Sequence, residues 1–338
     1  MSTIRSDVII PEIFSAYVDE AVTTRSAFLQ SGVITPLDIL NVDEGGDYVN
    51  VPSWSANLSG DAEVLSDTGS LTPGKISAEK QICPVLHRGR AWEVRTLAAL
   101  AAGDDPMAAI GRKVADYIAH QQQKDVFSIL KGIFGPLTSN TTGALKSLAI
   151  DSNATAVALN PSKVAEARAA LGDQGEKLSV IAMHSKVYYD LVERKAIDYV
   201  TAAEARITPD SSMPDAFGGS TAGAYMGDMN VPFYMGMRVI VSDDVNTDNT
   251  QYASYLFTPG AMASGNQMGL VTETDRDILA LSDAMSVHWH NLYHPLGMSY
   301  TAGGVNPSRA TLETVTNWTQ IYETKNLGIV SIVSNPNF

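Results

Sequence analysis

The chain has few basic residues for its length. Its 338 residues include 23 Lys and Arg against 37 Asp and Glu, so the formal net charge is −14 at pH 7. Proteins that bind nucleic acid through an electrostatic surface need clustered Lys and Arg, because each basic contact to a phosphate releases a counterion. The composition therefore excludes a nucleic-acid reader built on a basic surface.

Ionised residues of either sign are also scarce. They make up 18% of the chain, while the hydrophobic share of 45% is ordinary. Typical soluble domains contain about 25% charged residues, so we interpret the shortage as a surface much of which meets other protein. The length suffices for one to three domains with a core that needs no disulfide or metal.

Cysteine and long apolar runs are nearly absent as well. Cys83 is the only cysteine, which excludes an intramolecular disulfide framework and indicates a buried, inert thiol. Before Pro11 the only continuous apolar run is Val8–Ile10, shorter than the ~7–15 residue core of a signal peptide. No segment reaches the ~18 consecutive apolar residues of a membrane span. We therefore expect no secretory signal and no membrane partner.

Common catalytic and phosphate-binding signatures are missing. The sequence contains no GxxxxGK[ST], no GxGxxG that opens a helix after a strand, no HExxH and no GxSxG. The best metal candidate is HWHNLYH, which contains His288, His290 and His294. In a strand the first two share a face, but the third lies ~13 Å farther at ~3.3 Å per residue, too far for one ion. We expect no metal, no cofactor and no catalytic residue; the alternative is a metal-dependent enzyme using His288, His290 and carboxylates.

A second motif resembles the opening of a calcium loop. Asp244, Asn246 and Asp248 have suitable spacing, but Asn249 stands where the sharp turn needs glycine and Tyr255 replaces the bidentate Glu. The pattern therefore predicts a hairpin turn built on Asx side chains, which joins the strands on either side.

Residues 43–95 form two limbs of opposite charge. Residues 43–74 contain six acidic and no basic residues, giving −6, whereas residues 75–95 contain five basic and two acidic residues, giving +3. An isolated two-stranded excursion is marginally stable in water, so this one is either a solvated, partly mobile loop or a loop docked on a neighbouring subunit, and the opposite charges favour docking. Opposite charges can then pair across the interface. The candidate inter-subunit contact residues are Asp61, Glu63 and Asp67 on the outgoing limb and Lys75, Arg88 and Arg90 on the return limb.

The clearest local pattern predicts a helix over residues 106–134. Pro106 suits the first turn after an aspartate pair, apolar residues follow with helical period, and Gly135-Pro136 ends the helix. At ~1.5 Å per residue the helix would span ~43 Å and act as a strut. Gln121–Gln123 interrupt its apolar pattern, and we expect that face to be solvated. A shorter amphipathic helix is predicted from Pro11 to about Gln30.

The rest of the chain mixes helices and strands without regular βαβ alternation, which indicates an α+β fold. A glycine-rich loop is predicted over residues 208–230. The predicted elements are helices at Ser162–Leu171, Ser185–Arg194 and about Ser308–Thr324, and strands at Leu178–Met183, Met237–Ser242, Tyr252–Phe257, Ser286–Tyr293 and Leu327–Val333, with a short strand within 144–150.

Short runs spread along the chain resemble the major capsid (coat) proteins of tailed bacteriophages with the HK97-type fold. They occur in family order, and the ordered set is more specific than any single run. The runs are EVLSD at Glu63–Asp67, LTPGKI at Leu71–Ile76, HRGRAW at His87–Trp92, LAAGDDPMAAI at Leu100–Ile110, IAMHSKVYYDL at Ile181–Leu191, ETDRDIL at Glu273–Leu279 and HPLGMSYT at His294–Thr301.

The resemblance implies an HK97-like domain plan. Residues 1–45 would form an N-terminal arm, 46–95 an extended loop, and 96–149 the peripheral domain with a spine helix at 104–134. Residues 150–280 would form the axial domain and 281–306 the return strand of the peripheral domain. Residues 307–338 would supply the C-terminal helix and strand of the axial domain.

The resemblance also implies a structural, non-catalytic function in the virion. Copies of the chain would assemble in the host cytoplasm as pentamers and hexamers of an icosahedral shell, which encloses the dsDNA genome without sequence-specific binding. The implied partners are further copies of the chain and a portal protein, with separate scaffolding and cement or decoration proteins as further candidates. An encapsulin-like nanocompartment shell with the same fold is the alternative.

Overall fold

The computed structural model describes residues 31–42, 45–54, 62, 76, 78–95, 106–137, 143–151, 157–200, 231–245, 247–248 and 250–336. The predicted helix within 11–30 and the predicted loop at 208–230 lie outside these residues. No helix in the described ranges is long and apolar enough to cross a membrane.

Strands outnumber helices in the described parts of the chain. The strands are β1 (Ile34–Pro36), β2 (Tyr48–Trp54), β3 (Ala78–Pro84), β4 (Leu86–Arg95), β5 (Ala149–Ile150), β6 (Val180–Met183), β7 (Asp198–Val200), β8 (Val231–Tyr234), β9 (Met237–Val241), β10 (Thr247–Asp248), β11 (Gln251–Phe257), β12 (Met262–Asp277), β13 (Ser282–Pro295), β14 (Met298–Tyr300), β15 (Trp318–Gln320) and β16 (Ile329–Ser334). The α-helices are α1 (Pro106–Phe134), α2 (Pro161–Ala170), α3 (Ser185–Glu193) and α4 (Arg309–Leu312).

The described residues fall into two compact units. The first unit takes those within Met1–Gly135, Thr141–Lys146 and Gly260–Leu327, and the second takes those within Pro136–Asn140, Ser147–Pro259 and Gly328–Phe338. Each unit is therefore assembled from segments that are distant in the sequence.

The first unit is built on a four-stranded sheet in the order β1-β12-β13-β4. The long strands β12 and β13 form an antiparallel hairpin, and β4 pairs antiparallel with β13 from Leu86 to Arg95. Helix α1 packs on one face of this sheet through a cluster in which Val114 and Ile118 meet Val287 and Trp289. Alternate residues of β13 supply this contact because side chains on a strand point to opposite faces.

Helix α1 has the bounds that its sequence predicts. Gly135 follows the last helical residue with a φ of 80°, and its backbone N–H donates to the Lys131 carbonyl at 2.8 Å. Glycine adopts this left-handed backbone without steric cost, so it ends the helix. Gly132 is needed for another reason, because a Cβ there would overlap the Leu312 carbonyl oxygen and crowd the Trp318 indole. Helix α1 therefore lies directly against the segment that contains α4.

Strands β2 and β3 form a separate antiparallel ladder at the base of the excursion. Its apolar side joins a buried cluster that includes Val51, Cys83, Leu40 and Leu292. Cys83 is completely buried, and burial raises the pKa of its thiol. This agrees with the inert thiol that the sequence predicts.

The second unit contains an eight-stranded sheet in the order β5-β16-β11-β6-β9-β8-β7, with β10 paired to β11. Strand β11 lies in the middle of the sheet, and all of its residues are buried. Helix α3 follows β6 after the single residue His184, whose ring nitrogen accepts a hydrogen bond from the Lys186 backbone N–H. Strands β6, β11 and β16 and helices α2 and α3 confirm the predicted elements to within a few residues at each end.

Two predicted local structures are wrong. Strands β9 and β11 do not form a hairpin, because β6 lies between them and pairs with both. The short strand β10, which precedes β11 in the chain, pairs with β11 instead. The predicted helix over 308–324 contains only α4, a 3-10 turn at Val315–Asn317 and strand β15. Strand β15 forms there because its backbone pairs with β14.

The two units also differ from the predicted domain limits. Residues 260–280 belong to the first unit because β12 pairs with β13 along nearly its whole length, a strand pairing that the sequence pattern did not indicate. Residues 307–327 also belong there, since α4 packs on α1 and β15 pairs with β14.

Candidate assembly surface

A buried carboxylate ties three parts of the first unit together. Asp125 lies on α1 with only 2% of its side chain exposed, and Arg309 Nε donates to its Oδ1 at 2.7 Å. Arg88 on β4 approaches its Oδ2 at 3.5 Å. Arg309 also donates to the carbonyl and the side-chain oxygen of Gln121, at 3.0 and 2.7 Å. Asp125 therefore joins α1 to β4 and to the segment around α4.

This network corrects the prediction that the glutamine turn of α1 is solvated. Gln122 is buried, and the carbonyl and side-chain oxygens of Gln121 each accept a hydrogen bond from Arg309. A polar helix face can be buried when each polar group finds a partner. Gln121 thus contacts the segment around α4.

Of the six predicted contact residues, the structure describes Arg88 and Arg90. Arg88 faces inward, with 17% of its side chain exposed, and donates to the Asn306 side chain at 2.9 Å and to the Pro307 carbonyl at 2.8 Å. Arg90, two residues farther along β4, is exposed. Asp61, Glu63, Asp67 and Lys75 lie outside the described residues.

The base of the excursion is fixed to the sheet by a buried glutamine. Gln81 Oε1 accepts a hydrogen bond from His294 Nε2 at 2.8 Å and one from the Gly297 backbone N–H at 3.0 Å. The Ile82 backbone N–H donates to Ser299 Oγ at 3.1 Å, and the Tyr48 hydroxyl donates to the Gly304 carbonyl. Both strands of the ladder are therefore anchored where the excursion leaves the body.

The three histidines of HWHNLYH do not converge. His294 is buried, its Nε2 is engaged by Gln81, and burial lowers its pKa to about 4. His288 and His290 lie farther back along β13, near His87 of β4, with ring centroids 6.0 and 3.9 Å from the His87 ring. His290 also bonds Gln267 at 2.9 Å, and burial, with repulsion from its two histidine neighbours, lowers its pKa.

The histidine positions agree with ordinary strand residues, as the spacing predicts. Across the described ranges, no group of three or more His, Cys, Asp and Glu side chains is arranged to hold a metal ion.

Sequence reasoning missed two features of this unit. One is Asp125 with its two arginines; the available signal was a single carboxylate directly before the apolar run VFSIL of α1. The other is the turn at Asp277–Leu281 that joins β12 to β13, where three large aliphatic side chains are exposed. Its signal was the apolar run ILAL after the charged run ETDRD.

Known proteins match this chain along almost its whole length. Residues 41–328 match the family described as Major capsid protein 13-like. The chain is 33% identical over 339 residues to the curated "Major capsid protein" of Bacillus phage SPP1, and the match covers 96% of each chain.

Solved structures show the fold. "Cyanophage Pam1 capsid asymmetric unit" and "Capsid of Ralstonia phage GP4" each superpose with a TM-score of 0.54, over 90% of this chain and 88% of theirs, at 13% and 10% identity. These likenesses to phage capsid proteins confirm the predicted α+β fold of the HK97 type.

Removal of the Asp125 carboxylate should destabilise the chain strongly. Asp125→Ala leaves Arg88 and Arg309 facing each other without their shared anion, and we expect a loss of about 3 kcal/mol in the free energy of unfolding, measured with urea. The matched control is Asp283→Ala, which breaks the exposed pair with Arg276 and should cost less than ~1 kcal/mol. Equal losses in the two variants would contradict the role given to Asp125.

His294 should make the folded chain sensitive to mild acid. Burial holds its folded pKa at about 4, below the ~6.5 of an unfolded histidine, so the unfolded chain binds more protons between these values. This contribution to stability is complete above pH ~6.5 and is lost as the pH falls, by at most ~1.4 kcal/mol per pH unit. The free energy of unfolding, measured with urea, should therefore fall less steeply between pH 6.5 and 5 in His294→Gln than in the wild type. The exposed His120→Gln is the control, and the same slope in all three proteins would refute the assignment.

Proposed function

Because this chain belongs to the Major capsid protein 13-like family, we propose that its copies assemble as pentamers and hexamers into the icosahedral shell that encloses the dsDNA genome. It is a major capsid protein of a tailed phage, and its place is the virion capsid. The observation that carries the proposal is the nearly end-to-end match to a curated major capsid protein. An encapsulin-like compartment is not favoured, because the match is to a phage protein.

The role of such a chain is structural. We propose that it performs no catalysis, because the chain matches a curated major capsid protein along nearly its whole length. One chain must occupy both fivefold and sixfold positions in such a shell. Two compact units, each held by its own sheet, suit that task when the contacts between copies are made by segments outside the sheets.

We assign the first unit to the peripheral domain and the second to the axial domain of the HK97 plan. The anchored β2–β3 ladder would be the root of the extended loop. The residues before β1 would be the arm that reaches a neighbouring copy, since Ile34–Pro36 pair with β12 of the same chain. Gln81 supports this assignment, because its hydrogen bonds hold the root of the loop to the body of the same copy.

The charge balance suits a container for DNA. A net charge of −14 disfavours tight attachment of the shell to phosphates, so the genome would be enclosed without sequence-specific binding. The further partners that we propose are a portal protein and separate scaffolding and decoration proteins, with assembly in the host cytoplasm.

The loop charges would act between copies. Asp61, Glu63 and Asp67 of one copy would face Lys75 and Arg90 of the next. Arg88 has a different part, because its guanidinium already contacts Asp125 and the Asn306 side chain of its own chain. We therefore restrict the proposed inter-subunit role on β4 to Arg90.

The purified chain should form closed particles or rings of five and six copies. Negative-stain electron microscopy, together with sedimentation velocity, measures this directly. Only monomers or small discrete oligomers without ring symmetry would contradict the proposed shell.

Charge reversal should have different effects at Arg90 and at Arg88. Arg90→Glu should leave the stability of the unassembled chain unchanged within ~0.5 kcal/mol, since the side chain is exposed, but lower the yield of particles. Arg88→Glu should destabilise the chain itself, because it places a second carboxylate beside Asp125. Wild-type particle yield from Arg90→Glu would refute the inter-subunit role of this residue.

A further inference from the structure

The turn between β12 and β13 exposes a concentrated apolar surface. Ile278, Leu279 and Leu281 are 77%, 97% and 59% exposed, and Leu279 is the most exposed of the large hydrophobic residues in the described ranges. We call these three residues the aliphatic knob. Single exposed aliphatic residues are common, but three within four positions at the end of a long hairpin mark an interaction surface.

The backbone of the turn is held in one conformation. Asp277 Oδ1 accepts hydrogen bonds from the backbone N–H groups of Leu279 and Ala280, at 2.8 and 3.1 Å. Leu281 has a φ of 50°, a left-handed backbone that a bulky residue rarely adopts. Directly beneath the turn, Ser282 is buried and pairs with Asp277. The knob is therefore presented on an ordered support, which lowers the entropic cost of docking.

We infer that the aliphatic knob docks on a second copy of this chain, against the exposed face of helix α1 of that copy. The inference rests on the proposed shell function, since a shell built from one chain surrounds each copy with identical neighbours. The knob and α1 are different patches, so the contact is heterologous and can close into a ring around a symmetry axis.

Charge complementarity selects the face of α1. Around the knob, Asp275, Asp277, Asp283 and Glu93 of β4 outnumber the two basic side chains. Arg276 is paired with Asp283 at 3.7 Å, and Arg95 lies opposite Ser282. On α1, Arg112 and Lys113 are adjacent and exposed. Such rim charges set the register of a contact, while the burial of aliphatic side chains supplies most of its free energy.

Three other basic side chains near α1 are less exposed and have acidic partners within their own chain. Arg88 and Arg309 contact Asp125, and Lys131 contacts Glu313 at 2.7 Å. The exposed Arg112–Lys113 pair is therefore the better acceptor for the acidic rim of a neighbouring copy.

The first test replaces the central residue of the knob. Leu279→Glu should reduce the fraction of chain found in assemblies by roughly tenfold, as expected for the loss of a central apolar anchor. Leu279→Met keeps the apolar area and should assemble like the wild type. Because Leu279 is outside the core, the melting temperature of the unassembled chain should shift by less than about 2 °C in both variants. Wild-type assembly by Leu279→Glu would overturn the inference.

A thiol-protection experiment tests contact within the assembled state. Cys83 is fully buried, so Leu279→Cys places a single accessible thiol on the chain. Maleimide labelling of this thiol should be at least roughly tenfold slower in assemblies than in the dissociated chain, because docking shields it. Equal labelling rates would show a free knob and overturn the inference.

A charge exchange tests the receiving helix. Lys113→Glu should weaken assembly, and adding Asp275→Lys in the same chain should restore it, because each copy carries both patches. Failure of the second substitution to restore assembly would overturn the assignment of α1 as the receiving surface.

Sedimentation velocity separates failure of the knob from failure of the shell. If the wild type forms smaller oligomers and no particles, the shell proposal fails, but loss of those oligomers in Leu279→Glu still supports the knob. If the wild type forms particles and Leu279→Glu does too, the knob alone fails. A wild type that stays monomeric at every concentration overturns both.

Discussion

The shared carboxylate of Asp125 is the constraint on which the first unit depends. An ionised carboxylate is costly to bury unless it is paired, so Arg88 and Arg309 must both reach it. That requirement holds β4 and the segment around α4 on the same helix. The same side of α1 continues to Gly132, where the absence of a side chain lets the Leu312 carbonyl approach the helix closely.

In the first unit, the side chains that hold the chain together are different from those that remain exposed. The guanidinium groups of Arg88 and Arg309 hold the chain together, and Gln81 fixes the root of the excursion. The aliphatic knob, by contrast, contributes little to the stability of its own copy because its side chains are mostly exposed. A shell-forming chain needs both kinds of feature, since each copy must be rigid before contacts between copies can be specific.

Predictions from the sequence were right where the signal was local. Helix α1 has a periodic apolar face and a glycine stop, and β6 and α3 have short, unambiguous patterns. The same reasoning failed at residues 308–324, whose helical spacing was overruled by the pairing of β15 with β14. It also failed for the expected hairpin of β9 and β11, because strand neighbours are chosen by the whole sheet and β6 lies between them.

By itself the sequence determined the α+β class, the spine helix, the missing catalytic signatures and, through its ordered motifs, the phage capsid family. These depend on residue types and spacings within short windows. Only the tertiary structure decided that Arg88 faces inward, that β12 belongs with β13, and that Ile278, Leu279 and Leu281 remain uncovered. Each of those outcomes depends on which distant segments meet, and burial and charge pairing between such segments leave no periodic trace along the chain.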